Sequence, residues 1–138
     1  MFFGKKPAES TEWLAGVAFF EGFSDADLLR VAELGSEVDA AAGTVVMDQG
    51  DPGLECFVIV GGAAGVYVRG DRVATLGSGS MVGEMALVDH RPRTATVVAD
   101  TDLQLLRFDS KAFRKLLDEM PAASERVLTL LAERLGGD

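Results

Sequence analysis

Between Met81 and Thr96 the chain reads MVGEMALVDHRPRTAT, and its two ends carry groups with complementary chemistry. Glu84 follows Gly83 at the head of EMALVD, where a short helix is predicted over residues 83 to 88. Gly83 lets the backbone turn sharply or approach a neighbour closely. The first amide N–H groups of such a helix lack internal partners and form a ready anion site. Arg93, beyond Pro92 and at the head of the β-prone run TATVV, adds a permanent cation. A hairpin-like return can bring its guanidinium back to the helix end.

An anion held between the two would collect charge-assisted and backbone hydrogen bonds together. Glu84 offers only acceptors at neutral pH, so it suits a hydroxyl donor and not a phosphate. A nucleoside cyclic phosphodiester, with a singly charged phosphate beside a sugar hydroxyl, satisfies every group. A plain Glu84–Arg93 salt bridge that pins a loop satisfies the same residues, and residue type alone does not separate the two readings.

Other chemistries lack their residues. GSGSMVG is one position off a dinucleotide fingerprint and lies among short strands instead of opening a βαβ unit. GKKP lacks the remainder of a Walker loop. His90 is the one histidine and Cys56 the one cysteine, so no zinc set can be assembled. No G-x-S-x-G elbow occurs, and His90 in DHRPR reads as a solvated imidazole. The acidic pairs Asp25/Asp27 and Asp100/Asp102 read as solvated faces and caps. The expectation is a binding protein with no reaction centre, no metal and no cofactor, not an enzyme.

Three blocks must position the opening residues. Residues 10–35 read as helical: Ser24 and Asp27 form a capping-box-like start ahead of LLRVAEL, and Gly35 ends that helix. Residues 37–108 are short β-prone runs (TVVM, CFVIV, AGVYV, RVATL, TATVV, LQLLRF) separated by turn formers such as DQGDPG, GGAAG and GSGS. Turns about every eight to twelve residues indicate a sandwich or barrel. Residues 109–136 return to helix, with Asp109 or Ser110 as cap, a break at Pro121, and a second helix ending at Gly136.

The whole, 138 residues, fits one domain. A formal charge of −9 and a pI near 4.5 give an average field that repels nucleic acid and anionic membranes, so an anionic ligand needs a local exception. The N-terminal stretch FFGKKPAESTEWLAGVAFFEGF is interrupted by Glu9, Glu12 and Glu21, and reads as an amphipathic segment packed on the domain, neither a signal peptide nor a membrane span. Cys56, inside CFVIV, reads as a buried small hydrophobe, consistent with a reducing, cytoplasmic compartment.

These residues resemble the cyclic nucleotide-binding domains of the catabolite activator protein, cyclic-nucleotide-dependent kinase regulatory subunits and cyclic-nucleotide-gated channels. Their phosphate-binding cassette is matched by VGEMAL, the loop VDHRP, and RTATVVA. Their first hairpin is matched by VVMDQGDPGLECFVIVGG, with Gly50, Asp51, Gly53 and Gly62 in place and departures in packing type at Met47 and Cys56. The helical flanks are similar as well.

The resemblance implies a mainly β fold with flanking helices, an eight-stranded jelly-roll-like β-roll. It implies that Glu84 accepts the ribose 2′-hydroxyl and that Arg93 pairs with the cyclic phosphate. Gly83, Met85 and Ala86 would present backbone groups, and Thr94 would sit beside the phosphate and one edge of the base. Leu76 and Val73 would wall the base, with Leu128, Leu131 or Leu135 as candidate caps. The reading is a stand-alone receptor domain for cAMP, with cGMP as the alternative nucleotide. It would signal through movement of its C-terminal helices to a separate protein, as a monomer or weak homodimer, without contacting nucleic acid or membrane. Two rivals remain: a degenerate fold serving as a protein-interaction module, and a metal enzyme of the double-stranded β-helix type, which a single histidine disfavours.

Overall fold

The computed structural model describes residues 12–83 and 92–136. Helices α1 (Glu12–Ala15) and α2 (Asp25–Leu34), with a 3-10 turn at Ala18–Phe20 between them, precede the strands. Eight strands follow: β1 (Ser36–Ala40), β2 (Val45–Met47), β3 (Glu55–Gly61), β4 (Ala64–Val68), β5 (Asp71–Leu76), β6 (Met81–Val82), β7 (Thr96–Ala99) and β8 (Leu103–Asp109). They form two four-stranded antiparallel sheets, ordered β1-β8-β3-β6 and β2-β7-β4-β5. Helices α3 (Ser110–Glu119) and α4 (Pro121–Gly136) close the chain. The expected β-roll with helices at both ends is the fold observed.

Two apolar layers hold it together, and β8 serves both. Leu103 and Leu105 point between the sheets, where they join Phe57, Ile59, Ala64 and Val97. Leu106 and Phe108 point the other way, into a layer shared with Phe20, Val31, Phe113 and Leu116 from the helices. Strand β3 divides in the same manner, with Phe57 and Ile59 inward and Cys56 and Val58 towards the helices. Two-sided burial explains why LQLLRF and CFVIV are apolar almost throughout instead of alternating with polar residues. Each large side chain removed from water contributes about 1.5–3 kcal/mol.

The local signals act as their chemistry dictates. Ser24 and Asp27 form a complete capping box, with Asp27 N–H donating to Ser24 Oγ at 3.1 Å and Ser24 N–H to Asp27 Oδ2 at 3.4 Å. Asp109 caps α3 by accepting from Ala112 N–H at 2.8 Å, and Pro121 occupies the first position of α4, where a missing N–H does no harm. Gly35 ends α2 for a different reason than a left-handed cap. Its backbone is extended, at φ −86° and ψ 167°, and a Cβ there would lie 2.6 Å from Leu106 Cγ. The chain needs glycine at that point for close passage over β8.

The two helical ends of the chain are clamped to each other by Arg30 on α2 and Glu119 at the end of α3, through Nε–Oε1 at 2.7 Å and Nη2–Oε2 at 2.9 Å. The hydrogen bonds from Arg30 hold the Glu119 carboxyl below its ordinary range. A carboxyl whose pKa is depressed by folding stabilises the fold above its unfolded pKa and loses that contribution as pH falls through the depressed value. Glu119→Gln is therefore expected to lower the melting temperature by a few degrees at most at neutral pH. In calorimetric scans the gap from wild type should close as the pH is lowered through the carboxylate range.

Candidate functional site

Arg93 is the one charged residue buried among the described residues, at 7% exposure. Three segments converge to hold it. Its backbone is bridged to the β2–β3 connection: Arg93 N–H donates to Asp51 O and Gly50 N–H donates to Arg93 O, both at 2.8 Å. Three residues on, Thr96 accepts from Gln49 N–H at 3.0 Å and donates to Asp48 Oδ1 at 2.8 Å. The turn GDPG, read in sequence as part of a hairpin, is thus also the backbone clamp of the arginine. This capture delays the strand: β7 begins at Thr96, so Arg93 and Thr94 precede it instead of opening it.

The guanidinium reaches back to the other end of the segment. Arg93 Nη1 donates to Gly83 O at 3.0 Å, and Nη2 donates to Glu55 O at the start of β3. Gly83 holds φ +86°, and a Cβ there would strike Arg93 Nη1 and lie 3.0 Å from Glu55 O. Gly83 and Arg93, ten positions apart, are therefore in direct contact, as the hairpin-like return requires. The carbonyls of Gly83 and Glu55 orient the two Nη groups of the guanidinium.

A recess of about 280 Å³ beside Arg93 is walled by Val45, Met47, Leu54 and Glu55, with Asp48 and Asp51 as its further acidic members. Carboxylates around one buried cation oppose polyanions more strongly than monoanions, since each added negative charge meets the same repulsion while the arginine offers one positive charge.

The remaining predicted residues fall as follows. Thr94 is exposed beside Arg93. Leu76, partly buried, packs against the layer between the sheets. Val73 is different: β4 and β5 pair Val66 with Ala74 and Tyr67 with Arg72, so Val73 bulges out of register and is 59% exposed. Cross-strand partners share a face, so Ala74 and Leu76 stand on the same face as Val66 and Ala64. By register Ala74, not Val73, shares the face of Leu76 and Val66, and Ala74 is itself exposed. Glu84, Met85 and Ala86, with the predicted helix, lie outside the described residues. Leu128 on α4 is 66% exposed, and the side chains of Leu131 and Leu135 lie outside the description.

Sequence reading misses the role of Glu55 and the β4–β5 bulge that puts Ala74 on the face of Leu76. Glu55 acts through its main-chain carbonyl, which any residue type could supply. Its side chain is engaged separately with Arg107 at 2.5 Å. Ala74 needs the bulge to be known, and no residue type announces it.

Comparison with known proteins agrees with this geometry. The cyclic nucleotide-binding domain family matches residues 37–120. The chain is 35% identical over 107 residues, 77% of its length, to the Pycsar effector protein XpPycTIR of Xanthomonas perforans, and covers 35% of that protein. It is 33% identical over 124 residues, 90% of its length, to the cyclic nucleotide-gated potassium channel RHE_CH03180 of Rhizobium etli, again covering 35% of the relative. The chain thus spans about a third of these two curated relatives. Among solved structures, the N-terminal domain of a transcriptional regulator from Streptomyces coelicolor A3(2) superposes with a TM-score of 0.77 at 27% identity, covering 91% of this chain and 94% of that one. With the cassette's two ends in contact and the family match spanning both sheets and α3, the chain belongs to the cyclic nucleotide-binding domain family.

Proposed function

We propose that this chain is a receptor domain that binds cAMP in preference to cGMP and passes the signal to a separate protein, without transforming the nucleotide. The observation that carries the reading is the buried Arg93 guanidinium, aimed by the carbonyls of Gly83 and Glu55. Arg93 pairs with the cyclic phosphate. Glu84 accepts the ribose 2′-hydroxyl, while Gly83, Met85 and Ala86 supply backbone groups and Thr94 flanks the phosphate and the base. Leu76, with Ala74, forms the apolar wall. The Rhizobium etli relative, a cyclic nucleotide-gated channel, supports the ligand class. Signal output runs through α3 and α4, whose packing on the roll a bound nucleotide would shift.

Thermal unfolding with and without nucleotide tests this. A ligand at 100 times its dissociation constant stabilises the native state by about 2.7 kcal/mol. The expected result is a clear rise in melting temperature with cAMP and a smaller one with cGMP at equal concentration. No rise with either would favour a protein-interaction module over a receptor.

A further inference from the structure

Away from Gly83 and Arg93, a larger cavity of about 690 Å³ opens where the 3-10 turn, the β5–β6 connection and α4 meet. Its apolar walls are Val17, Phe19, Leu76 and Met81, and its charged members are Glu125 and Arg126 of α4. The size lies within the range of small-molecule sites, and an apolar body with few polar anchors is their usual composition.

Arg126 is held in a specific way. Nη1 donates to Ala18 O at 3.0 Å and to Phe19 O at 2.8 Å, and Nη2 donates to Glu21 O. These bonds use three of the five guanidinium N–H groups. The Nε–H and the second Nη2–H have no acceptor among the described residues, and no carboxylate there pairs with Arg126. Nε–H and the Nη2 amino group beside it are the edge by which a guanidinium takes a carboxylate bidentately. Arg30 uses the same fork for Glu119. Arg126 is thus a fixed cation, oriented by carbonyls that leave its charge in place, at the wall of an apolar cavity.

We propose that this cavity is a binding site for a small amphipathic monoanion, an aryl or alkyl carboxylate. Its headgroup takes the free fork of Arg126 and its apolar body lies against Val17, Phe19, Leu76 and Met81. Glu125, the neighbouring acid, opposes the headgroup and sets an upper limit on affinity. The site shares neither Gly83 nor Arg93 with the nucleotide site, and Leu76 borders both. An occupant would touch the N-terminal turn, the roll and α4 at once.

The test titrates the full chain with 4-phenylbutyrate, its neutral amide 4-phenylbutanamide and the corresponding 4-phenylbutylamine, following the methyl resonances of Ala122 and Thr129, both of which line the cavity. The carboxylate is expected to bind at least tenfold more tightly than the amide and to shift both methyls. Ala122→Phe, which fills the cavity without altering Arg126, should abolish the response, and Glu125→Gln should tighten carboxylate binding several-fold. Equal affinity for carboxylate and amide, tightest binding of the amine, or a response unchanged by Ala122→Phe would each overturn the assignment.

Discussion

Arg93→Ala is expected to weaken cAMP binding by at least a hundredfold in calorimetric titration and to destabilise the unliganded protein as well. Removing one partner of a buried ion pair leaves the other charge uncompensated, at about 3–5 kcal/mol. By affinity arithmetic, each 1.4 kcal/mol of that is a factor of about ten. The unliganded protein is affected through a second route. Alanine leaves the carbonyls of Gly83 and Glu55 without the donors they now have, and each unsatisfied buried polar group costs about 1–3 kcal/mol. Removal of a buried charge offsets part of this, so a net loss near the lower end is expected in denaturant titration. Arg93→Lys separates the two effects. An ammonium keeps the charge but cannot span two carbonyls and a phosphate as a planar fork does, so binding should still fall well over tenfold while stability falls less. A loss of affinity under tenfold for Arg93→Ala would show that this side chain does not face the phosphate.

How far these features are legible in the chain itself depends on which atoms act. Ser24, Asp27 and Asp109 act through side chains on their own neighbours, and the residue types state the outcome. The apolar runs of β3 and β8 announce burial, because both sheet faces are covered. Strand β1 is harder: SEVDA is rich in polar residues, and it becomes a strand because Ser36–Ala40 pairs in register with Leu103–Arg107 of β8. Strand β6 is two residues long, too short for any periodicity. In the site, the partnership of Gly83 with Arg93 is readable from spacing and chemistry. The contribution of Glu55 is not, since a main-chain carbonyl has no residue code. That Ala74 and not Val73 shares the face of Leu76 depends on one unpaired residue in the β4–β5 ladder, and a shift by one position turns every side chain to the opposite face. Long-range backbone bonds, such as those from Gly50 N–H to Arg93 O and from Arg93 N–H to Asp51 O, decide where β7 starts, and local propensity does not contain them.

Gly83→Ala should lower both stability and nucleotide affinity, and two companion variants apportion the loss. At φ +86° any side chain carries the strain of the left-handed region, about 1–2 kcal/mol. The new methyl would also occupy the place of Arg93 Nη1, which could yield only by leaving Gly83 O and Glu55 O. Gly70 supplies the control: its φ is +85°, and a Cβ there meets nothing within 4 Å. Gly70→Ala should therefore show the backbone strain alone and leave cAMP affinity untouched. The excess for Gly83→Ala, about a further 1–2 kcal/mol of stability and a tenfold or greater loss of affinity, measures displacement of the arginine. In an Arg93→Ala background most of that excess should vanish, because the atom the methyl strikes is gone and only its 3.0 Å approach to Glu55 O remains. If the excess persisted there, the damage from Gly83→Ala would have to come from the backbone around it. The glycine would then be a turn residue and not the seat of the arginine.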